Sequence, residues 1–177
     1  MPGTSLPPFL KPLEPDYSVP YVNALFPACD DIPPVHVHWW PCKQAGVSPS
    51  TIFLFIPGRF NITLYPSLFR MTAGNPGVID FYPPFLTAIH NKDQAGTLAI
   101  LSHSHIGHDP TVEDIRRTSF QYALPFQIRN ALRVFDALDT SFGVNARIVV
   151  VGHSVGSWVA LQVAFMQCPV LLLLNAV

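Results

Sequence analysis

Charge is scarce in this chain. Only 12% of its 177 residues are Asp, Glu, Lys or Arg, against about 25% in an ordinary soluble domain. Ten basic side chains face eleven acidic ones, for a formal net charge of −1. There is no surplus of cations to neutralise phosphates, which excludes electrostatic nucleic-acid binding. Cysteine is scarce too. Cys29, Cys42 and Cys168 are odd in number and lack zinc-ligand spacing, so they form neither a closed disulfide framework nor a metal cage. The expected compartment is therefore intracellular and reducing. The N-terminus, MPGTSLPPFLKPLEP, has no basic cluster followed by an apolar run and does not read as a secretory signal.

Apolar material is abundant. The hydrophobic fraction is 49% and mean hydropathy is +0.32, enough to offset chain entropy and to exclude a charge-driven disordered chain. The length suits a single domain with a good-sized core. Proline is the compositional outlier, with 19 residues, about twice the usual ~5%. Eleven of them lie between Pro2 and Pro49. Residues 1–34 accordingly read as a disordered or extended lead-in, because each proline removes a backbone donor and biases its predecessor away from helix.

Periodicity outlines the rest. Val35–Trp40 alternates with period two, as expected of a strand with one buried face, and sets His36 and His38 on the same side as a conceivable metal pair. Thr51–Ile56, residues 97–101 and residues 147–151 are continuous apolar runs of the kind found in central parallel strands. Between the last two, Leu124, Ile128, Leu132, Phe135 and Leu138 recur at helical spacing. Alternating buried strands and amphipathic helices predict an α/β fold with a mostly parallel sheet and flanking helices. No charged residue occurs from Ile148 to Val177. Residues 158–177 have the length of a membrane span, but Gln162, Gln167, Pro169 and Asn175 favour a helix over Val155–Gln167 followed by a buried strand at 170–174.

Gly152-His153-Ser154-Val155-Gly156 fits G-x-S-x-G, between an apolar strand and a helix-compatible run. A serine hydroxyl is a poor nucleophile unless a strained turn exposes it and a neighbour takes its proton. Gly152 and Gly156 would permit the tight packing of such a turn, and the Val155 amide could donate to a substrate oxyanion. Ser154 is thus the candidate nucleophile.

Taken in order, the pieces IPG, NPGVIDFYPPFLTAIH, LAILSHSHIGH, QIRNALRVFDAL and IVVVGHSVGSWVALQV resemble the lipid-droplet-associated hydrolase family of α/β-hydrolases. The family reads IPGNPG without a break, and here residues 59–74 interrupt it as a retained intron or a true insertion. The resemblance implies a partial α/β-hydrolase domain over 35–177 and an oxyanion-hole role for Asn75 beside Val155. It also implies acyl transfer through Ser154 on a hydrophobic lipid or sterol ester. The implied partners are that substrate and a lipid-droplet or endoplasmic-reticulum surface; otherwise the chain is expected in the cytoplasm. No metal or cofactor is expected.

The fold's triad runs Ser, then Asp or Glu, then His, yet none of the 23 residues after Ser154 is Asp, Glu or His. The expectation is a chain truncated after the elbow helix and the next strand, and therefore inactive. Two alternatives remain. One is a lipid-surface binding module without activity. The other is a metal-dependent hydrolase using His103, His105 and His108, whose spacing imitates a zinc motif although Gly107 stands where that motif needs an aspartate.

Overall fold

The computed structural model describes residues 6–58, 78–106 and 124–167. Six strands form one sheet: β1 (Lys11–Pro12), β2 (Val22–Phe26), β3 (Val35–Trp40), β4 (Thr51–Ile56), β5 (Leu98–His103) and β6 (Arg147–Gly152). Their order across the sheet is β1-β2-β3-β5-β4-β6. Three helices join them: α1 (Pro83–Lys92), α2 (Leu124–Phe142) and α3 (Val155–Gln167).

The α/β character expected from the alternation is present, but the sheet is mixed rather than mostly parallel. Only β5, β4 and β6 run parallel to one another; β1, β2 and β3 join by antiparallel pairings, including β3 to β5. Part of the lead-in is responsible. Residues 21–26 contain no proline, so Val22–Phe26 keeps every N–H and pairs along its whole length with β3. Pro12 lies in the two-residue edge strand, where a missing donor is tolerated.

β3 also departs from the expected half-buried pattern, since all six of its residues are buried. On one face Val35, Val37 and Trp39 join the core beneath α2 and α3. On the other, Trp40 packs with Phe55, Ile100 and Leu86 of α1, and its Nε1 donates to Thr87 Oγ1 at 3.0 Å. Helix α1 starts with two prolines, whose lack of N–H costs nothing in a first turn.

α2 buries Gln127, Asn130, Ala131, Val134 and Leu138; of the expected stripe, Leu138 is buried, Ile128, Leu132 and Phe135 pack half-buried against the core, and Leu124 is 37% exposed. Two polar residues thus belong to the inward face. Gln127 explains its own burial: Oε1 accepts the Ile106 N–H at 2.8 Å, and Nε2 donates to the Ile106 carbonyl at 3.2 Å.

Helices α2 and α3 cover one face of the sheet and α1 the other. The chain leaving β4 leads to α1, whereas the chain leaving adjacent β6 enters α3. The carboxyl ends of these two adjacent strands are where α/β sheets bind ligands.

Candidate active site

Register determines what meets at those strand ends. β4 and β6 pair from Thr51 with Arg147 to Ile56 with Gly152, and the His153 N–H donates to the Ile56 carbonyl at 3.1 Å. Pro57-Gly58 and His153-Ser154 therefore leave the ladder side by side.

Ser154 is exposed and has φ +55°, a left-handed conformation that costs an L-residue roughly 1–2 kcal/mol. It forms the corner between β6 and α3. The carbonyls of His153 and Ser154 accept the N–H groups of Gly156 and Ser157, each at 2.9 Å, which closes the turn. A Cβ on Gly152 would run into the Gly156 carbonyl, and one on Gly156 into the carbonyls of Ile56 and Pro57. Strand and helix can approach this closely only with glycine at both positions. Val155 contributes the first amide of α3, at the positive end of the helix dipole.

The other expected oxyanion donor, Asn75, lies outside the described residues, as do 59–74, His108, Cys168 and the strand expected at 170–174. The structure brings two imidazoles close to the corner. His153 is exposed, and its Nδ1 is 2.8 Å from the Tyr82 hydroxyl. His105 is buried, with Nε2 2.7 Å from the Pro57 carbonyl. A carbonyl only accepts, so Nε2 of His105 carries a proton and cannot remove one from serine.

The other described histidines are buried. His103 Nδ1 donates to the Ser104 carbonyl at 2.8 Å; burial, with the neighbouring His105, holds its pKa down to about 4. His38 packs at a tilt against Tyr21, centroids 4.4 Å apart, and meets His36 edge-on, centroids 4.8 Å apart. Burial, with His36 adding to it, lowers its pKa to about 3. The exposed Asp80 carboxylate, 3.6 Å from Nε2, does not offset desolvation of a ring only 1% exposed. Among the described residues no group of three or more His, Cys, Asp or Glu could hold a metal ion. Sequence reasoning missed Tyr82 as a contact of the corner. Its only signal was its place in the FYPPF segment.

An α/β sheet covered by helices on both faces, with a left-handed serine at a β-to-α corner, places the chain in the broad α/β class. Within that class the match to a family model is specific: residues 66–170 fit the lipid-droplet associated hydrolase model. The chain belongs to that family. The matched span begins inside the 59–74 interruption and includes Asn75, Tyr82, His105 and the whole Gly152–Gly156 motif, while IPG lies outside it. No curated protein and no solved structure matches the chain.

The family description associates its members with lipid droplets. No helix among the described residues is long and apolar enough to cross a membrane. Helix α3 has 13 residues, about 20 Å at 1.5 Å per residue, short of a ~30 Å hydrocarbon core.

Proposed function

We propose that this chain carries the nucleophile of a serine carboxylic ester hydrolase acting on hydrophobic lipid or sterol esters at a droplet surface. Residues 35–177 are its α/β-hydrolase portion. The observation that carries the reading is Ser154 itself, exposed at φ +55° in a chain of this family. Its Oγ attacks the ester carbonyl, forming the acyl–Oγ bond as the alcohol leaves with a proton; water then releases the acid. The Val155 amide and Asn75 stabilise the oxyanion.

General-base catalysis is the weak link. His105 is committed to the Pro57 carbonyl, and His153 Nδ1 to Tyr82. With neither of these described imidazoles as base, a serine hydrolase keeps roughly 10³–10⁴-fold acceleration over water. These 177 residues alone should therefore react slowly, but through Ser154. Prolonged incubation with a fluorophosphonate at high concentration tests this, with slow labelling abolished in Ser154→Ala as the expected result. Equal labelling of that variant, or none of the parent, overturns the nucleophile. Rapid stoichiometric labelling would mean that a base acts on Ser154 after all.

The exposure of Trp158 (45%), Leu161 (58%) and Phe165 (68%) along α3 favours a second reading, a lipid-surface binding module. Turnover of a short-chain chromogenic ester separates the two, because a binding module gives none.

A further inference from the structure

We propose that Tyr82 is a positioning residue for Ser154, clamping the two chain segments that flank the serine; this rests on the nucleophile reading above. Tyr82 lies 24 residues from Gly58 and 71 from His153, yet its hydroxyl reaches both, 3.4 Å from the Gly58 nitrogen and 2.8 Å from His153 Nδ1. An amide only donates, so the phenol oxygen accepts from Gly58. Its single proton is then left for Nδ1 when the neutral His153 ring carries its own proton on Nε2. The ring itself is held against Phe55, centroids 4.7 Å apart, directly before α1.

The clamp closes around the serine. A Cβ built on Gly58 would sit 2.8 Å from Ser154 Cβ and 2.9 Å from His153 Nδ1, so loop, imidazole and nucleophile are in immediate contact. The His153 backbone is already tied to Ile56, and Tyr82 ties its side chain. A left-handed serine persists only where its surroundings over-determine it, and Tyr82 supplies the constraint from the α1 side. Its removal should blur the orientation of Oγ and leave the binding surface intact.

The experiment uses the full chain, with Tyr82→Phe retaining the ring and deleting only the hydroxyl. Expected is at least a fivefold fall in the maximal fluorophosphonate labelling rate, with the probe concentration for half-maximal rate unchanged. Gly58 amide exchange should quicken at least fivefold. His153→Ala, at an exposed position, should reproduce the fall, and the double variant should lose no more than either single one. A rate within twofold of the parent, or losses that multiply, overturns the clamp. If Tyr82→Phe does not fold, His153→Ala decides by the same criterion. If the parent is never labelled, the nucleophile reading fails separately. Gly58 exchange then decides the clamp: an unchanged rate in Tyr82→Phe sinks it and a fivefold rise upholds it.

Discussion

A left-handed backbone at a non-glycine residue is a cost that something must hold in place. For Ser154 the cost can be measured apart from catalysis. Glycine at 154 removes the clash between Cβ and backbone, whereas alanine keeps it. Ser154→Gly should therefore be more stable than Ser154→Ala by about 1–2 kcal/mol in urea unfolding, although both lack the hydroxyl. Equal stabilities would mean that the turn is unstrained. G-x-S-x-G exposed this residue to view because sequence spacing alone places the serine between strand and helix. Tyr82 was hidden, since its partners are 24 and 71 residues away and a tyrosine beside prolines carries no local sign of them.

At the scale of elements, β3, β4 and α3 follow the sequence limits Val35–Trp40, Thr51–Ile56 and Val155–Gln167. Each is bounded by local chemistry: prolines before β3 and after β3 and β4, and a glycine turn before α3. Helix α1 escaped notice because proline reads as a breaker, although in a first turn it is a starter. The inward face of α2 was legible only in part, its apolar members but not its polar ones, because hydrophobic spacing cannot foresee that Gln127 pairs with both polar groups of Ile106. That pairing gives an expected outcome. Gln127→Met preserves volume but leaves a buried N–H and carbonyl without these partners, and should destabilise the fold by about 2–3 kcal/mol. Chemical denaturation would check it, and a change under 0.5 kcal/mol would show that other groups take over.

Over the whole molecule, buried imidazoles tie stability to pH. Burial lowers the pKa of His38 to about 3 and of His103 to about 4, and also lowers that of His90. The unfolded chain binds these protons near pH 6.5 and the folded chain does not, so the unfolded state gains protons first as pH falls. The stabilisation is complete above about pH 6.5 and declines toward pH 4, by up to roughly 1.4 kcal/mol per pH unit per histidine. Urea midpoints should fall clearly from pH 7 to pH 5, before most carboxylates titrate. A flat profile across that interval would show that the rings take up protons while folded.

Local sequence determined the apolar strands, the helix after the serine and the glycine-flanked turn, because burial period, turn chemistry and steric need are read within a few neighbouring residues. Tertiary structure alone decided that three N-terminal strands join antiparallel and that β4 lies between β5 and β6. It also decided that His105 is spent on a carbonyl and that Tyr82 reaches the serine corner. Those outcomes depend on long-range register and on competition for buried hydrogen bonds, which leave no periodic trace in a chain read residue by residue.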